Sequence, residues 1–156
     1  HAKAPFILGY RFSPEELENP GITLEDTLKF IKALKETNLD FLHISLGHYK
    51  QTSIRDKQDQ TMIVEKIQSV LNHEIPLIGV GGIETKKEAA DALSVGYDMV
   101  ALGTSILADP YIGETFKEER VPSKHFTKQS YIPTPLYQRL YKNKDRFSEK
   151  GYTFED

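Results

Sequence analysis

Residues 76–82, Pro-Leu-Ile-Gly-Val-Gly-Gly, and residues 99–104, Met-Val-Ala-Leu-Gly-Thr, are each an apolar run that ends on glycine with a helical pattern soon after. A short apolar run closed by a turn residue reads as a buried parallel strand. Glycine just past the carboxyl end of such a strand leaves bare backbone N–H groups, which is how α/β proteins hold a phosphate. The plainer reading is that both glycines only make strand-to-helix turns. The two turns lie one βα unit apart, however, and successive parallel strands usually lie side by side. Both turns would then face one ligand.

Working outward, strand and helix patterns alternate. Strands are expected at 5–12, 40–46, 76–80 and 98–102. Helices are expected from Thr23 to Thr37, over a stretch carrying Ile63, Ile67, Val70 and Leu71 and ending near His73, and from Thr85 to Gly96. Thr23 with Asp26, and Thr85 with Glu88, have the spacing of a capping box. Ser105 to Ala108 reads as a short extra helix, and Asp109-Pro110 as an N-cap with proline at the first helical position of another. This alternation predicts an α/β fold with about four βα units. A full (β/α)₈ barrel needs about 250 residues, so four units amount to half of one. A doubly wound sheet would carry its glycine fingerprint after the first strand, where Tyr10-Arg11-Phe12 stands instead.

Residues 1–120 read as the half-barrel and 121–156 as a tail. Pro122, Pro133 and Pro135 interrupt the tail, a short amphipathic helix is expected after Pro135, and its remaining aromatics are expected to run extended over the domain. The opening His1-Ala2-Lys3 runs at once into a strand, as in a domain cut from a longer chain.

Composition narrows the function classes. The chain has 156 residues, 38% apolar and 28% charged, with a net charge of -3. Its basic residues are interspersed among acidic ones, which argues against nucleic acid as a partner. No apolar run reaches membrane-spanning length. With no cysteine there is no disulfide or thiolate metal site, and a cytoplasmic location is expected. No residues stand at metal-ligand spacing. His48 and Tyr49 read as loop residues after the second strand, His73 as a charge partner of a helix end, and His125 belongs to no motif.

Arg11 ends the first strand, where the ligand cavity of a barrel opens. A guanidinium there suits an anionic or carbonyl-bearing ring; the alternative is an ion pair with Glu15 or Glu16.

The stretch Gly9-Tyr10-Arg11-Phe12-Ser13-Pro14-Glu15-Glu16 resembles the GxRxSPxE segment of the Old Yellow Enzyme family, the FMN-dependent NADH:flavin oxidoreductases and ene-reductases. Pro76 to Ile83 and Ala101 to Pro110 are similar to the last two barrel strands of that family, and Ile132 to Tyr137 to its C-terminal segment. The resemblance covers nearly the whole chain, in order, and implies the C-terminal half of the barrel. It implies FMN as cofactor and NADH or NADPH as reductant of a small-molecule acceptor such as an activated alkene. By position, Arg11 would lie against the pyrimidine side of the flavin and favour the negative charge that reduction builds there. Gly81, Gly82, Gly103 and Thr104 would hold the FMN phosphate, Thr104 standing where the family commonly has arginine. No catalytic residue is assigned, since the substrate pair and the proton donor of the family belong to the other half. Such a chain is expected to be inactive alone and to cover its open sheet with a missing N-terminal half or a second copy of itself. Two other readings stay open: a phosphate-binding barrel piece without flavin, and a self-associating piece without activity.

Overall fold

Thr23 starts the first helix as its sequence context predicts. Its hydroxyl accepts the backbone N–H of Asp26, and the Asp26 carboxylate accepts the backbone N–H of Thr23, both at 3.2 Å. This capping box satisfies two donors at the head of α1 (Leu24–Leu34). The structure, a computed structural model, describes residues 5–128 and 131–155.

Four strands, β1 (Gly9–Phe12), β2 (Phe41–Ile44), β3 (Leu77–Val80) and β4 (Met99–Ala101), form one sheet in the order β1-β2-β3-β4 with every pair parallel. The helices α1, α2 (Ile63–Leu71) and α3 (Lys86–Ser94) lie in sequence between them. Strands in chain order, each joined through a helix, make a barrel segment; a doubly wound sheet reverses its order at a switch point. The strands are shorter than their apolar runs. Phe6, Ile7 and Leu8 are exposed ahead of β1, an edge strand with β2 as its neighbour.

Alternation along the strands separates two faces. Leu42, Ile44 and Leu77 are fully buried, as are Ile31 of α1 and Ile63, Val64, Ile67 and Leu71 of α2, and together they form the core. Arg11, Phe41, His43, Ile78 and Met99 belong to the other face and are half-buried or exposed. Parallel sheets are normally covered on both faces, so this one has a face left open in the chain alone.

Two compact units divide the chain, the first comprising residues 1–83 and 87–101 and the second 84–86 and 102–156. The composition changes near residue 121, but the packing divides earlier because Leu107 and Ala108 join the aromatic cluster of the second unit. That unit holds α4 (Thr104–Ala108), α5 (Ile112–Lys117), α6 (Thr134–Lys142) and α7 (Lys144–Ser148), with a parallel pair of β5 (His125–Phe126) and β6 (Thr153–Phe154). Phe126, fully buried, stacks on Tyr152 and Phe154 with ring centroids 5.4 and 4.8 Å away.

The expectation of an extended tail is therefore corrected. The tail aromatics bury one another, and this local core supports a second helix and a strand pair that no periodicity announced. The proline-led helix expected after Pro135 is α6, with proline in its first turn. Asp109 does not cap the next helix. Its Oδ1 accepts the N–H of Tyr111 at 3.1 Å and its Oδ2 the hydroxyl of Thr115 at 2.9 Å, so α5 begins at Ile112.

Candidate functional site

Arg11 sits near the carboxyl end of β1, and its Nη2 donates to Ser45 Oγ, just past β2, at 2.8 Å. The alternative ion pair is not formed. Glu15 is buried, its carboxylate accepting the Ser53 hydroxyl at 2.8 and 3.1 Å and the backbone N–H of Ile54 at 2.7 Å. Glu16 accepts the backbone N–H of Ile22 at 3.1 Å. Both carboxylates hold loop backbone in place. Among the described residues Arg11 pairs with no carboxylate, so its charge is available to a ligand.

His43 stands opposite Arg11 in the β1–β2 register, and its Nε2 is buried without a partner among the described residues. Burial lowers its pKa, and the nearby Arg11 charge lowers it further, so the imidazole is neutral at pH 7. The family resemblance gives no role to His43, a histidine within an apolar strand with no motif around it; its register with Arg11 is the informative signal.

Gly81 and Gly82 follow β3 with φ of +119° and +65°. A Cβ on Gly81 would lie 2.7 Å from both the backbone nitrogen of His48 and the carbonyl oxygen of Leu46. Glycine at 81 is thus required by the loop after β2, which crosses it and is tied to it by the Tyr49 N–H donating to the Gly81 carbonyl at 3.0 Å. Gly82 is exposed and has only the His48 ring beside it.

Gly103 and Thr104 belong to the second unit. Gly103 has an ordinary φ of -104°, and a Cβ built there would meet nothing within 4 Å. Neither φ nor side-chain packing calls for glycine at 103. Among the described residues, no acceptor takes the backbone N–H of Gly82, Gly103 or Thr104, whereas that of Gly81 follows the Val80–Ala101 pair that ends the β3–β4 ladder. Within the first unit, a free amide donor after β3 suits a phosphate, and a guanidinium at the end of β1 suits an electron-rich ring.

Tyr49 lies in the loop after β2, as expected, and is buried there. Its hydroxyl donates to Asp91 at 2.6 Å, and that bond, with burial and the carboxylate charge, pushes its pKa up to about 12. His73 contacts Asp98 at 3.3 Å, and His125 Nδ1 lies 2.8 Å from Thr153 Oγ1 in the small strand pair. Among the described residues no group of three His, Cys, Asp or Glu side chains is placed to hold a metal.

A family model described as the NADH:flavin oxidoreductase / NADH oxidase family matches residues 2–122. An NADH:acrylate oxidoreductase of Vibrio harveyi is 39% identical over 145 residues, covering 88% of this chain and 14% of that protein. An NADH:fumarate oxidoreductase of Klebsiella pneumoniae is 40% identical over 113 residues, 70% of this chain and 12% of that protein. The "Probable NADH-dependent flavin oxidoreductase YqiG" of Bacillus subtilis is 35% identical over 146 residues, 90% of this chain and 39% of that protein. A solved structure of a variant of NCR from Zymomonas mobilis shares the fold, with a TM-score of 0.57, 21% identity, and coverage of 74% of this chain and 35% of that one. The chain thus spans well under half the length of each of these proteins.

Proposed function

The chain belongs to the NADH:flavin oxidoreductase / NADH oxidase family, and on that premise we propose that it is the flavin-holding part of an FMN-dependent oxidoreductase that uses NADH to reduce an activated alkene. FMN, when bound, supplies the hydride relay from NADH to the acceptor. The names of two relatives, an acrylate and a fumarate oxidoreductase, support an alkene conjugated to a carboxylate as the acceptor class.

In this reading Arg11 faces the flavin ring and favours the negative charge of its reduced form. Ser45 fixes the guanidinium through the 2.8 Å hydrogen bond. Gly81, Gly82, Gly103 and Thr104 give their backbone N–H groups to the phosphate. The observation that supports the proposal is that the backbone N–H of Gly82, at the turn after β3 that the family resemblance selects, has no acceptor among the described residues. No residue of this chain is assigned to proton donation. The open sheet face with Phe41, His43, Ile78 and Met99 is assigned to the further βα units that complete the barrel, which fits the greater length of the relatives. No helix among the described residues is long and apolar enough to cross a membrane, and a cysteine-free chain suits a cytoplasmic setting.

The test is titration of the purified chain with FMN, followed by flavin fluorescence quenching and by the absorbance spectrum. Saturable binding that Arg11→Ala weakens supports the proposal. A chain that binds inorganic phosphate but no flavin makes it a phosphate-binding barrel piece of another enzyme class. Acrylate-dependent NADH oxidation at an ordinary enzyme rate by the chain alone would show that the chemistry needs no further units.

A further inference from the structure

We propose that His48 is a phosphate-binding residue, its imidazole Nε2–H donating to the phosphate received at the Gly81-Gly82 turn. The inference rests on the reading of that turn as part of the flavin site, and adds a side-chain donor where that reading has only backbone.

The tautomer follows from the hydrogen bonds. His48 Nδ1 lies 3.1 Å from the backbone nitrogen of Lys50 and accepts its N–H, so the proton of the neutral ring is on Nε2. Two contacts fix where that proton points. The ring stacks on Tyr49 with centroids 4.7 Å apart and planes 21° apart, and Tyr49 is itself anchored by Asp91 at 2.6 Å. The same loop is tied to the turn through the Gly81 carbonyl at 3.0 Å.

The Cδ2–Nε2 side of the ring lies beside Gly82. A Cβ at Gly82 would lie 3.1 Å from His48 Cδ2 and 3.7 Å from Nε2, so any side chain at 82 would press on the imidazole. Among the described residues Nε2 donates to nothing, and neither does the amide of Gly82. Gly82 and His48 are both exposed, leaving the place open to a ligand. An imidazole donor and the free Gly82 amide at one turn suit the several acceptor oxygens of a phosphomonoester.

The test follows the backbone amides and the His48 side-chain nitrogens of the ¹⁵N-labelled chain by NMR during titration with FMN, riboflavin and inorganic phosphate. FMN is expected to shift His48 Nε2 and the Gly82 amide along one saturation curve, whereas riboflavin, which has no phosphate, leaves both in place. His48→Ala is expected to weaken FMN binding about tenfold and riboflavin binding not at all. His48→Gln, which restores an N–H donor, should recover part of the loss. A Gly82 response without one at His48, or unchanged FMN affinity in a folded His48→Ala chain, overturns the role of His48 and leaves the flavin site standing. No flavin response at Arg11, Gly81 or Gly82 overturns both.

Discussion

The guanidinium of Arg11 is held by the hydroxyl of Ser45 at 2.8 Å and not by a carboxylate. A neutral anchor fixes its direction without spending its charge. Arg11→Ala should therefore weaken FMN binding by about tenfold to a hundredfold, the range of a lost charged hydrogen bond. Stability should change by no more than about 0.5 kcal/mol, since the side chain is exposed. Fluorescence titration and thermal melts on the same variant separate the two effects.

Gly81 and Gly103 look alike in sequence and differ in their surroundings. Gly81→Ala forces a side chain into a backbone at φ +119° and against two atoms at 2.7 Å, and should cost about 2 kcal/mol or more. Gly103→Ala meets nothing within 4 Å and should leave stability nearly unchanged. Urea unfolding checks both. A loss of FMN affinity in the stable Gly103→Ala chain would then report on ligand contact alone.

The hydroxyl of Tyr49 and the carboxylate of Asp59 should set the alkaline and acid limbs of the stability profile. Tyr49 is raised to about 12 by its bond to Asp91. A raised pKa contributes stability that is whole below the unfolded value, about 10, and is lost as pH rises from there toward 12. Asp59 is lowered to about 2, first by its hydrogen bond with Lys66 and then by the Thr61 backbone N–H. That contribution is whole above about pH 4 and is lost as pH falls toward 2. Chemical denaturation across pH should show Tyr49→Phe flattening the alkaline limb and Asp59→Asn the acid limb.

The open face of the sheet should make the chain alone self-associate. Phe41, Ile78 and Met99 stand on it, with Met99 44% exposed, and β1 and β4 are free edges within the four-stranded sheet. Light scattering should show species larger than a monomer in concentrated solution, and Ile78→Glu should reduce them. A compact monomer at every concentration would contradict the assignment of that face to further βα units.

The sequence by itself determined the elements of the first unit and the family. Helical spacing from Leu24 to Leu34, a capping box at Thr23 and apolar runs closed by glycine are local signals, because a helix or a buried strand is specified by residues within a few positions of one another. Arg11, the two glycine turns and their order along the chain were legible in the same way. What only the tertiary structure decided lies in contacts across long stretches of sequence. Glu15 belongs to Ser53 and Ile54 rather than to Arg11, Gly81 is glycine because a loop from β2 crosses it, and His48 is turned toward Gly82 by Lys50, Tyr49 and Asp91. The tail escaped for the same reason. Phe126, Tyr152 and Phe154 stabilise one another only once the chain has folded back on itself, and no periodicity in sequence records such a meeting.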